Sequence, residues 1–157
     1  MIDATDQRLL GVLRDAGRLS VTELAGRLSV SRANAYTRLE RLERDGVLKG
    51  FSARVDHARA GLPIAALVIL TLEQVRWEAL RGALAAMPEI VWCAYTAGEF
   101  DAVALVRTPG VEVLRDVVLT RLHTMPGVRA TRTVFVLDEV VDRPYVLHGD
   151  GPGDGSG

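Results

Sequence analysis

The chain has a single cysteine, Cys93, so no intrachain disulfide can hold it together. Its place in the apolar run Ile90-Val91-Trp92-Cys93-Ala94 predicts a buried core thiol rather than a reactive one. No apolar stretch approaches the roughly 20 residues that a spanning helix needs, and the N-terminus is acidic, unlike a targeting segment. A soluble, cytoplasmic protein with no membrane partner is expected. Histidine is scarce too. His57, His123 and His148 are scattered, no His/Cys/carboxylate set has metal-ligand spacing, and no glycine-rich phosphate loop follows a strand. These absences leave no catalytic residue, metal ligand or cofactor site to nominate. Excess charge of one sign is also missing: the net charge is −1, which by itself argues against a nucleic-acid partner.

That average conceals a division. Residues 1–61 carry 11 Lys+Arg against 8 Asp+Glu, and residues 62–157 carry 8 against 12. The positive part holds two helix-opening signals eleven residues apart, Ser20 and Ser31. Ser20 followed by Glu23 is a capping-box pattern, in which the hydroxyl accepts a backbone N–H three residues on and the Glu reaches back. Leu24, Ala25 and Leu28 supply an apolar face, and Ser29-Val30 leaves only a tight turn before Ser31 caps a second helix. The pattern fits a helix-turn-helix, and equally an αα-hairpin with a solvated charged face. On the second helix Arg32, Asn34, Tyr36, Thr37, Arg38 and Arg41 surround an inward stripe of Ala35, Leu39 and Leu42. Exposed side chains of these types suit phosphates and base edges, and Arg38 and Arg41 are expected opposite Leu39 and Leu42. A positive excess this small binds weakly in one copy, which points to two or more.

Hydrophobic content of 48% with 25% charged residues is globular, and 157 residues suffice for one ordinary domain or two small ones. Asp3 is placed to cap a first helix that carries Leu9, Leu10 and Leu13 and stops at Gly17. Gly46 follows the third helix, and Val47 to Val55 alternates as a short strand or wing. From Pro63 the rhythm changes. Ile64 to Leu72 reads as a buried strand, Trp77, Leu80, Leu84 and Met87 as one face of a helix, and Ile90 to Thr96 as the next strand. Gly98-Glu99-Phe100-Asp101 is a turn, Val103 to Arg107 a strand, Val111 to Met125 a helix and Val128 to Val141 a final strand. The fold class is α+β: a winged helix-turn-helix domain over 1–50, a linker strand or hinge over 51–61, a ferredoxin-like βαββαβ domain over 62–142 and a flexible, glycine-rich tail over 143–157. The free face of that sheet needs cover, and a second subunit is the simplest source.

Residues Ile2 to Val141 resemble the leucine-responsive regulatory protein/AsnC, or feast/famine, family. The resemblance lies in Ile2-Asp3-Ala4-Thr5-Asp6, Gly17-Arg18-Leu19-Ser20, the passage Arg41 to Phe51, the Gly98-Glu99-Phe100-Asp101 turn, and Pro126-Gly127-Val128 followed by Thr131-Arg132-Thr133. It implies a transcriptional regulator that binds double-stranded DNA, responds to an amino acid or related small effector, and forms dimers that stack into tetramers or octamers. With that reading, Ser20 and Ser31 at the helix starts and Arg32, Asn34, Tyr36, Thr37, Arg38 and Arg41 on the second helix are the residues expected to meet DNA; the effector residues follow by position from the resemblance. Gly98, Glu99, Phe100 and Asp101, with Met125, Thr131, Thr133 and Val134, would meet the effector, Asp101 taking its ammonium. Three residues depart from the family pattern: Ser29 where glycine is common, Arg32 where proline is, and Glu99 for Asp. If Ser29 needs a positive φ, it is strained by roughly 1–2 kcal/mol. An architectural DNA-binding protein without a ligand and a ferredoxin-like enzyme are the competing readings, the second without catalytic residues to support it.

Overall fold

The computed structural model describes residues 1–73 and 77–147, at Trp77 the backbone alone. His148, the tail from 149 on and the side chain of Trp77, read above as part of a helix face, lie outside the described residues. The chain divides into two compact units: Met1–Arg54 together with the segment from Val141, and Val55–Val140.

In the first unit α1 (Ala4–Ala16), α2 (Val21–Leu28) and α3 (Arg32–Arg44) follow one another with short connections. Each start is fixed locally. The Asp3 carboxylate accepts the Asp6 N–H and the Asp6 carboxylate accepts that of Asp3, while Ser20 and Ser31 cap the next two helices. α3 ends in a Schellman arrangement: Gly46 turns at φ 69°, its N–H reaches the Glu43 carbonyl, and the Val47 N–H reaches that of Leu42. Leu9, Leu10, Leu13, Leu24, Leu28 and Leu42 form the core, as the periodicity predicts. Burying each leucine contributes about 1.5–3 kcal/mol relative to exposure.

Two expectations about this unit change. Residues 47–56, read as a short strand or wing and then a linker strand or hinge, form no strand, and a turn follows at 57–61. Phe51 and Val55 alternate as a strand should, yet both are exposed with no neighbouring strand to pair against. The stretch 143–147, read as the start of the tail, instead supplies Tyr145 and Leu147 to the leucine core. The Tyr145 hydroxyl donates to the Leu10 carbonyl at 2.6 Å, and Asp142 accepts from Arg54 through its backbone carbonyl at 2.8 Å. An aromatic ring and a leucine can offset the ordering entropy of this stretch.

The second unit has the expected order: β1 (Ile64–Leu72), α4 (Trp77–Ala85), β2 (Ile90–Tyr95), β3 (Ala102–Thr108), α5 (Val111–Arg115) continuing as a π-helical stretch over Asp116–Leu122, and β4 (Val128–Phe135). The sheet is antiparallel in the order β2-β3-β1-β4. β4 stops short of the expected Val141 because β1 begins at Ile64. The Val136 N–H bonds the Ala65 carbonyl, and little partner strand remains beyond it. Alternation sorts the two faces. Ala66, Val68 and Leu70 of β1 and Ala102, Ala104 and Val106 of β3 are fully buried against Leu80, Leu84, Leu114, Val117 and Leu122 of the helical layer. Leu67, Ile69, Val103 and Leu105 occupy the other face and are only half-buried, with Trp92 and Val134 more than two-fifths exposed beside them. Cys93 is half-buried at the edge of the core rather than inside it, and burial pushes its thiol up from the usual range.

Candidate functional site

The helix pair of the first unit is built around a turn that a serine has to strain to make. Ser29 adopts φ 56°, ψ 44°, the single non-glycine positive φ among the described residues. Its N–H donates to the Gly26 carbonyl, and the Val30 N–H donates to that of Ala25 at 3.1 Å. The chain thereby reverses in two residues and presents the start of α3. The two serines nominated for DNA are engaged in capping. Ser20 Oγ accepts the Glu23 N–H at 3.2 Å and donates to the Glu23 carboxylate at 2.7 Å, and Ser31 Oγ accepts the Asn34 N–H at 3.2 Å. Arg32, Asn34, Tyr36 and Thr37 are exposed on α3. Hydrogen bonding to Glu40 pushes the Tyr36 phenol above its usual value.

Arg38 and Arg41 do not lie opposite the apolar stripe. At 3.6 residues per turn Arg38 is only about 60° round the helix from buried Ala35, and Arg41 about 120°. Both guanidinium groups are turned toward the start of α1. Arg38 Nη1 donates to Asp3 and Asp6 at 2.7 Å each, and Arg41 Nη2 donates to Asp6 at 2.5 Å. Asp6 is 0% exposed. Burial alone would raise its carboxyl, but hydrogen bonds from Arg41, the Asp3 N–H and Arg38 prevail and bring it down to about 2. A buried carboxylate flanked by two cations ties α3 to α1 by charge as well as by packing. Sequence reasoning took Asp3 as a cap and passed over Asp6. The available signal was two acids one helical turn apart with no basic neighbour of their own.

In the second unit the turn Gly98 to Asp101 joins β2 to β3. Gly98 has φ 141°, and no atom stands within 4 Å of a Cβ built there, so the backbone requires glycine while space does not. The Thr96 hydroxyl donates to the Phe100 carbonyl at 2.5 Å, and the Thr96 N–H to that of Asp101 at 2.9 Å. Asp101 reaches β1: its N–H donates to the Leu70 carbonyl, and its Oδ2 accepts the Leu72 N–H at 2.7 Å. Glu99 is exposed.

The other residues nominated for an effector do not join this turn on one surface. Thr131 and Thr133 pair with Leu70 and Val68 and share their helix-side face. Val134 pairs with Leu67 on the open face, and Met125 packs against the buried core. Strand alternation therefore separates them. The residue it does bring to the turn is Arg132, whose guanidinium lies 5.6 Å from the centre of the Phe100 ring, a cation–π distance. Among the described residues no group of three or more His, Cys, Asp or Glu is placed to hold a metal ion.

Residues 65–146 match the family model of the Lrp/AsnC ligand binding domain, and residues 2–49 that of a winged helix-turn-helix DNA-binding domain. The proline dehydrogenase transcriptional activator of Rhodobacter capsulatus is 32% identical over 146 residues, covering 91% of this chain and 95% of the relative. The leucine-responsive regulatory protein of Haemophilus influenzae is 30% identical, covering 93% and 90%. Among solved structures, a Neisseria meningitidis transcriptional regulator in complex with L-methionine superposes with a TM-score of 0.87 at 25% identity, covering 93% of this chain and 96% of that one. The feast or famine regulatory protein of M. tuberculosis, complexed with L-methionine, gives 0.85 at 31%, covering 94% and 100%.

Proposed function

The chain belongs to the Lrp/AsnC family of transcriptional regulators, and from that premise we propose how its two units divide the work. It is a DNA-binding regulator that responds to an amino-acid effector, and the family is one of regulators rather than enzymes. In this reading the first turns of α3, with Arg32, Asn34, Tyr36 and Thr37, enter the major groove of duplex DNA in the cytoplasm. Arg38 and Arg41 hold α3 on α1 instead of contacting DNA. A homodimer, and larger assemblies built from it, present two such helices. The observation that carries the reading is the two-residue reversal at Ser29-Val30, which leaves the start of α3 exposed while its opposite face is buried.

The effector side rests on the Gly98–Asp101 turn. The Asp101 oxygen not used by Leu72 has no hydrogen-bond partner among the described residues and can accept an ammonium, a charge-assisted bond stronger than a neutral one, and Arg132 offers a guanidinium to a carboxylate. Thr131 and Met125, which approach from the helical side, contribute support behind the turn rather than contacts on the open face. Calorimetric titration of the whole chain with L-methionine and the other standard amino acids is the test, followed by affinity for a selected duplex with and without the amino acid that binds. One amino acid that binds and changes the affinity supports regulation, since an effector shifts only an equilibrium whose states it binds differently. Binding by none, with uniform coating of any duplex, would establish the architectural alternative instead.

A further inference from the structure

Asn34 occupies the third position of α3 and is held at both ends. Its backbone N–H is taken by the Ser31 hydroxyl at 3.2 Å, and its side-chain Oδ1 accepts Arg38 Nε at 2.9 Å. The orientation of the amide is set by chemistry, because an arginine Nε–H only donates and its partner has to be the amide oxygen. Arg38 cannot easily swing away, since Asp3 and Asp6 hold its Nη1 from the other side. The Asn34 NH2 group, on an exposed residue, has no partner among the described residues.

Resting on the reading of α3 as the DNA-entering helix, we propose that the Asp6–Arg38 pair presents Asn34 to the major groove as a donor, making it a guanine-preferring specificity residue. An asparagine that reads adenine uses both ends of its amide, accepting from N6 and donating to N7. Here Arg38 occupies one lone pair of the accepting end and turns that end toward itself, so the two N–H groups lead and match a base edge with two acceptors, N7 and O6 of guanine. Thymine, with O4 alone, is the second choice, and cytosine, which offers a donor, is disfavoured. Arg38 is then a positioning residue, acting on sequence through Asn34 without touching DNA.

Selection of bound duplexes from a random pool tests this with the full chain, its Asn34→Ala variant and its Arg38→Met variant. Asn34 is exposed and alanine is the better helix former, so Asn34→Ala keeps the fold. Arg38→Met leaves Asp6 paired with Arg41. The expected wild-type result is a guanine favoured over adenine about tenfold at one position of each half-site. Asn34→Ala is expected to erase that preference and leave the other positions unchanged, and Arg38→Met to bring adenine close to parity with guanine there. Adenine or cytosine preferred at the Asn34-dependent position, an unchanged profile for either variant, or loss of preference at every position in Asn34→Ala would each overturn the proposal while the DNA-binding reading stands. A wild-type chain that selects no sequence would overturn both.

Discussion

At the scale of single residues, the strain at Ser29 and the charge at Asp6 have opposite consequences. Serine pays about 1 kcal/mol or more to sit in the left-handed region, so Ser29→Gly should raise the stability of the first unit by roughly 1 kcal/mol in chemical unfolding without weakening DNA binding. Asp6 stabilises through ionisation. Its folded value of about 2 lies below the ordinary 3.8, so the contribution is complete above about pH 5 and is lost as pH falls through 4 toward 2. By linkage this amounts to about 2 kcal/mol. Asp6→Asn should cost a similar amount at pH 7, and its stability should fall less steeply than the wild type's between pH 5 and pH 2. Equal slopes would mean that the ion pairs contribute nothing net.

At the scale of elements, the helix starts were legible because a cap and its target lie within three residues, as with Ser20 and Glu23 or Ser31 and Asn34. The strands were legible from their alternation and from the turn residues around them. Long-range partners were not: Arg38 and Arg41 find Asp6 across 32 and 35 residues, a distance no local pattern spans. No strand forms over 47–56 for a related reason, since alternation in 51–55 says that a strand would be amphipathic and nothing about whether a neighbour exists. The division of the effector set was legible in principle, because Thr133 and Val134 are adjacent in a strand and must face opposite ways. Asp101 is the element-scale test. Its bond to the Leu72 N–H ties the turn to the end of β1, so Asp101→Ala should destabilise the second unit by about 1–2 kcal/mol with no amino acid present, while Asp101→Asn, which keeps an acceptor, should cost less.

At the scale of the whole molecule, the open sheet face is the feature most in need of a partner. Leu67, Ile69, Leu105, Trp92 and Val134 form a half-buried to exposed apolar surface that no helix of the second unit covers among the described residues, apart from the end where Glu139 reaches Arg107 at 2.6 Å. Light scattering is expected to give at least twice the 17.0 kDa chain mass, and Ile69→Glu on that face should reduce it toward one. A wild-type monomer that still binds a two-half-site duplex would remove this expectation. The return of the C-terminal segment to the first core bears also on how the protein is born. Tyr145 and its acceptor Leu10 lie 135 residues apart in the chain, with the whole second unit made between them. At 5–20 residues per second, the leucine core of the first unit waits on the order of ten seconds for its last aromatic to be synthesised. The second unit, whose strands all lie between Val55 and Val140, can close while that core is still incomplete. The first unit is thus begun before the second and finished after it, so Tyr145→Phe should slow its acquisition of protease resistance on nascent chains more than it alters the second unit.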